Sequence, residues 1–129
     1  EKNQTYFNAP SGGPLIQHSF QMMLEFFHKK QLTLEKIAEL MCHKPAICFN
    51  VEKRGFIRNN YFADLVIVDL NKNTTVAKEN LLYKCKWSPM EGQVFHSTIS
   101  NTFVNGQMVF DGHRVSENSN GMRLRFKQR

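Results

Sequence analysis

This 129-residue chain has one Trp, four Pro, three Cys and no long apolar run, and each shortage excludes something. Cys42, Cys48 and Cys85 are odd in number and irregularly spaced. That argues against a disulfide framework and for free thiols in a reducing, cytoplasmic compartment. Each is expected to pack as a small buried hydrophobe. Cys42, His43 and Cys48 match no zinc-finger spacing and are set aside as a metal site. No apolar stretch approaches the roughly 18 residues a membrane helix needs, so no membrane partner is expected. Glu1-Lys2-Asn3-Gln4 has no signal-peptide core and no initiating Met, as expected of a chain that begins at a cleavage or boundary. Internal repeats and low-complexity tracts are missing too.

What remains is globular in composition, 41% hydrophobic and 12% aromatic. Much of the formal charge of +6 gathers at the end, in Arg123, Arg125, Lys127 and Arg129. These alternate with Met122, Leu124 and Phe126, the period of a strand with one basic and one apolar face. The basic face reads either as an anion or nucleic-acid patch, or as a solvated face that pairs with acidic groups elsewhere. No aromatic residues interleave on it as a single-strand platform requires, which favours the second reading and leaves nucleic acid out of the expected partners.

Ala9-Pro10-Ser11-Gly12-Gly13-Pro14 is a loop, and Pro14 suits a first helical turn. From Leu15 to about Lys30, Ile16, Phe20, Met23, Leu24 and Phe27 fall at helical spacing. Thr33 caps a second helix with Leu34, Ile37, Ala38 and Met41 inward, and Pro45 is expected to stop it at His43-Lys44. Beyond residue 45 the pattern is all-β. Ala46 to Asn50 is a short apolar segment, and Lys53-Arg54-Gly55 is a turn. Tyr61 to Asp69 is a strand apolar on both faces, as a covered strand is. Phe95 to Val104 and Gln107 to Phe110 flank Asn105-Gly106, a strong hairpin signal. Asp64, just before a strand, is expected to be a turn acceptor rather than a catalytic carboxylate.

The histidines make no metal pair. His18 and His28 lie about 280° apart on an ideal helix. His43 is placed at a helix end, and His96 and His113 lie in the β region. Surface or capping roles are expected of all five.

Ala63-Asp64-Leu65-Val66-Ile67-Val68-Asp69, then Lys78-Glu79-Asn80-Leu81-Leu82-Tyr83, then Trp87-Ser88-Pro89-Met90-Glu91-Gly92, resemble the C-terminal end of the dihydroorotases. These are cyclic amidohydrolases of pyrimidine synthesis. The first segment occurs across many amidohydrolases, and the Lys78–Gly92 run narrows the likeness. The resemblance implies an α+β fragment: the closing loop and helices of a (β/α)8 barrel in residues 1–44, then the C-terminal strands of a β-sandwich in 45–129. It implies a parent that interconverts L-dihydroorotate and N-carbamoyl-L-aspartate with a pair of zinc ions. The ligands and the catalytic aspartate of that site would all lie upstream of Glu1, in the family's case within and before an Asp-His-Ala-Pro-His segment. No catalytic or metal residue is then expected here, and the chain alone is expected to be inactive. The family's substrate-holding loop maps onto Pro10, Ser11 and Gly12. Gly12-Gly13-Pro14 and Asn59-Asn60 depart from the usual pattern. The expected partners are the upstream barrel segment, a small-molecule substrate and a second subunit. A hydantoinase or allantoinase, a free-standing interaction module and a non-catalytic scaffold are the other readings.

Overall fold

The computed structural model describes residues 3–9, 11–117 and 121–127. A 3-10 turn, Ile16–His18, leads into α1, Ser19–His28. Lys30 closes α1 in the left-handed conformation, with its N–H on Phe27 O and the Gln31 N–H on Phe26 O, both at 2.8 Å. Pro14 stands ahead of the turn rather than inside it.

Thr33 caps α2, Leu34–Ala38, its hydroxyl accepting from the Lys36 N–H at 3.2 Å. Pro45 does not end this helix. The chain widens into a π turn, Glu39–His43, and continues as α3, Lys44–Cys48. A proline in a helix lacks one N–H and crowds the preceding turn. The wide turn, in which the Lys44 N–H reaches Glu39 O, sits immediately before the ring and relieves that crowding. Ala46 to Cys48 is therefore helical, and the change to strands falls after Cys48 rather than after Lys44.

Three strands form the main sheet, in the order β1-β4-β5: β1 is Leu65–Asp69, β4 is Thr98–Val104 and β5 is Gln107–Phe110. β1 starts later than its apolar pattern implies, because Asn60 is left-handed and the Tyr61 N–H turns back to Arg58 O. Asn105 and Gly106 both have positive φ, 53° and 82°, the geometry a two-residue hairpin needs to match strand twist. A second ribbon pairs β2, Thr74–Thr75, with β3, Val94–Phe95. His96-Ser97 breaks the expected Phe95–Val104 strand into β3 and β4. The expected terminal strand shrinks to one bridge, Val51 with Phe126, supported by Glu52 N–H on Arg125 O and Lys127 N–H on Asn50 O, both at 2.9 Å. Arg129 lies outside the described residues.

The fully buried apolar side chains are few: Leu24, Ile37, Val76 and Phe95, with Ala46 close behind. Leu24 and Phe95 lie where α1 meets β3, and Ala46 lies beside Gly55. β1 is a strand but not a covered one; Leu65, Val66 and Ile67 are exposed. Cys42 and Cys48 are exposed as well, against the expectation of burial, and all three thiols are free. The Trp87–Gly92 corner closes as its sequence suggests. The buried Ser88 accepts from Met90 N–H, and Gly92, at φ 84°, donates to Val76 O at 2.8 Å.

Gly55 ties the helical run to the β half. Its φ is +78°, and a Cβ there would stand 2.5 Å from the Ala46 Cβ and 2.8 Å from Cys42 O. Gly92 shares the positive φ but has open space where a Cβ would go. Gly55→Ala should therefore lower stability by about 1–3 kcal/mol through overpacking, on top of the backbone strain both glycines share. Gly92→Ala should cost clearly less, and urea unfolding of the two variants side by side checks the difference.

Candidate functional site

Ser11 and Gly12 lie in the exposed loop before the 3-10 turn; Pro10 lies outside the described residues. Gly12 is left-handed, at φ 77°, with open space around it.

The largest polar assembly is a stripe along α1. Gln17 bridges by its amide, Nε2 donating to Asn80 O at 2.8 Å and Oε1 accepting from the Leu82 N–H at 2.9 Å. Its backbone N–H donates to the Tyr83 hydroxyl at 2.8 Å. One turn on, Gln21 Nε2 donates to Ser97 O at 3.1 Å. Glu25 accepts from the His96 N–H at 2.7 Å and lies 2.9 Å from its Nδ1. His28 Nε2 lies 2.7 Å from Ser97 Oγ. Positions 17, 21, 25 and 28 recur on one helical face, so a single stripe docks the helix onto the 80–83 and 96–97 segments. The Asn80 side chain closes the Lys78–Asn80 turn, accepting from the Ala77 N–H and donating to Thr75 O.

His28 beside Ser97 resembles a base and a nucleophile, with Glu25 and His96 nearby. Ser97 is 0% exposed, however, and no substrate atom could reach its hydroxyl. The cluster is structural. His18 corrects the expectation of surface histidines: it is buried, stacked on Phe95 at 5.9 Å and edge-on to Tyr83 at 6.1 Å. Its Nδ1 is buried with no hydrogen-bond partner among the described residues, and burial pushes the imidazole pKa below its ordinary value. His43 is not at a helix end but within the continuous run, stacked flat on Phe56 at 4.4 Å. Burial raises the Glu25 carboxyl, yet the His96 hydrogen bonds outweigh it and hold the pKa below the usual carboxylate range.

Asp64 is a turn acceptor, as expected, and more besides. It accepts the Asn105 N–H at 2.8 Å and pairs with Arg54, which also donates to Asn105 Oδ1 at 2.7 Å. The Arg54 guanidinium lies over the Phe62 ring at 4.2 Å.

Beside this pair opens an apolar groove of about 670 Å³, walled by Phe20, Ile37 and Met41 on one side and Leu65, Val66 and Ile99 on the other. Its rim carries Ile16 and Ile57, 88% and 89% exposed. Among the described residues no three His, Cys, Asp or Glu side chains come together to hold a metal. No helix among them is long and apolar enough to cross a membrane.

The polar stripe was not foreseen. Its signal, Gln17, Gln21, Glu25 and His28 at helical spacing beside the apolar stripe, was present in the sequence but names no partner by itself.

The amidohydrolase family profile matches residues 11–109. A dihydroorotase from Halobacterium salinarum is 33% identical over 116 residues, which is 90% of this chain and 27% of that protein. An allantoinase from Desulfitobacterium hafniense is likewise 33% identical, over 118 residues, 90% of this chain and 26% of its own length. An L-hydantoinase structure from Arthrobacter aurescens superposes with a TM-score of 0.76 at 32% identity, covering 85% of this chain and 25% of that one. A D-hydantoinase from Thermus sp. shares the fold, with a TM-score of 0.79 at 22% identity. The chain thus spans about a quarter of the length of these relatives.

The buried His18 makes a pH prediction. Its folded pKa lies below the unfolded value of 6.5. Around and below that value the unfolded chain binds the proton that the folded chain resists, so stability is full above it and falls as pH drops toward the folded pKa. His18→Phe keeps the stack on Phe95 and removes the titration. The variant should lose less stability than the native chain between about pH 7.5 and 5.5, a window spanning the ordinary histidine pKa, as read by urea midpoints.

Proposed function

The chain belongs to the amidohydrolase family, and from that premise we propose that it is the C-terminal part of a dihydroorotase. The observation that carries this reading is the 33% identity to a dihydroorotase across 90% of the chain, which includes the Lys78–Gly92 run. Those residues are used structurally: Asn80, Leu82 and Tyr83 receive Gln17, and Ser88 and Gly92 set the corner.

On this reading the parent interconverts L-dihydroorotate and N-carbamoyl-L-aspartate. Residues 1–44 complete the barrel, and 45–129 complete the sandwich. The family's substrate-holding loop maps onto Pro10, Ser11 and Gly12, and the backbone N–H groups of a glycine loop suit a substrate carboxylate. The zinc pair belongs to the upstream segment. Among the described residues no group of side chains fits a metal site.

The equal identity to an allantoinase supports a second reading, a cyclic amidohydrolase with a different ring substrate. Assaying the intact parent on dihydroorotate, allantoin and hydantoin separates the two. Preferred turnover of dihydroorotate is expected, and preferred turnover of either other ring would replace the first reading with the second. The isolated chain with added zinc should turn over none of them.

The uncovered groove is the seat of the upstream segment. An apolar surface of that kind drives association when its partner is missing. The isolated chain should therefore run above its 15.0 kDa mass in native mass spectrometry. Ile16→Asp with Ile57→Asp, both at exposed rim positions, should return it to a monomer.

A further inference from the structure

A second concavity, of about 180 Å³, is formed where residues 52–54 face the returning C-terminal segment. The Val51–Phe126 bridge and the Glu52–Arg125 backbone bond set this pairing, and they place Arg123 and Arg125 on the same side two residues apart. Lys53 and Arg54 line the pocket from the other segment. Four cations thus share one depression with a single lining carboxylate, Glu52. Like charges facing each other across paired strands destabilise the pairing unless something neutralises them.

Arg54 is neutralised by Asp64, which lines the apolar groove rather than this pocket. Among the described residues Lys53, Arg123 and Arg125 form no ion pair. Arg54 is also held rigid, by Asn105 and by the Phe62 ring beneath it. With Arg54 committed to Asp64 and Asn105, Lys53, Arg123 and Arg125 are the cations left in the pocket to receive a tetrahedral oxyanion through charged N–H donors. Phe62 and Met122 supply an apolar wall beside the cations. Met122, Arg123 and Arg125 lie beyond residues 11–109, the segment the family profile matches. The space takes one phosphate group and a small body, not a run of nucleotides.

The geometry points to an anion site between residues 52–54 and 122–125 that takes a phosphate group, either free or on a small phosphomonoester. The site does not depend on which ring the parent hydrolyses.

The test is a 31P NMR titration of the purified chain with inorganic phosphate and, separately, phenyl phosphate at fixed ionic strength. Saturable binding is expected. It should weaken at least about tenfold in R123Q/R125Q, the scale of losing charge-assisted hydrogen bonds. It should be unchanged in K29Q/K84Q, which loses the same charge elsewhere. Tighter binding of phenyl phosphate assigns a phosphomonoester using the Phe62 and Met122 wall; equal binding assigns free phosphate. No saturation, or equal weakening in both double variants, overturns the site. So does binding of a single-stranded oligonucleotide that phosphate cannot displace, which would make this face a nucleic-acid surface. Both substituted arginines are exposed, so circular dichroism should show the fold retained.

Discussion

Everything in this structure depends on α1 being held against the segments around residues 80–83 and 95–97. A helix of ten residues is marginal in water by itself, and here its docking is mixed. Leu24 supplies buried apolar area, while Gln17, Gln21, Glu25 and His28 fix the register by hydrogen bonds to backbone atoms and to His96 and Ser97. Polar contacts of this sort add little net energy per bond, but misalignment by one residue would leave the buried Gln21 and Ser97 unpaired. The helix therefore has one acceptable position, and the irregular 76–97 segment takes its shape from it.

The remaining half is organised around a different polar point. Arg54, Asp64 and Asn105 join the turn after α3, the entrance to β1 and the β4–β5 hairpin. Two anchors, one on each side of the chain, leave an uncovered apolar groove between them. This is why the molecule has well-defined local structure yet so small a buried core. The contacts that set this local structure all lie within a chain that spans about a quarter of its relatives' length.

Local signals were the legible ones. The period of Phe20, Leu24 and Phe27, the Thr33 cap, the Asn105-Gly106 turn and the Ser88–Gly92 corner all act within a few residues, and each forms, whereas Ile16 lies in the 3-10 turn ahead of α1, 88% exposed. Burial was less legible, because it depends on what lies opposite. Leu65–Val68 has the composition of a covered strand and is uncovered here; Cys42 and Cys48 look like interior residues and are not. His18 erred the other way, since nothing in a lone histidine reveals that Phe95 and Tyr83 will enclose it. The loop at Ser11-Gly12 forms, exposed as a loop of that composition should be, but its sequence carries no mark of what it faces.

Pro45 misled for a more specific reason: the rule that proline ends a helix assumes a regular helix before it. Ile37 and Ala46 are nine residues apart, which on an ideal α-helix puts them about 180° out of phase, yet both are buried. The five-residue wide turn between them takes up part of that phase difference. It works as a splice between two helical phases, turning Ala46 toward Gly55 without a loop or a break. The tolerance of this segment to length changes is therefore asymmetric. Removing one residue between Ala38 and Lys44 would restore an unbroken α-helix and leave Ala46, then eight residues from Ile37 and about 80° around the helix from it, still facing Gly55, whereas adding one would turn it away.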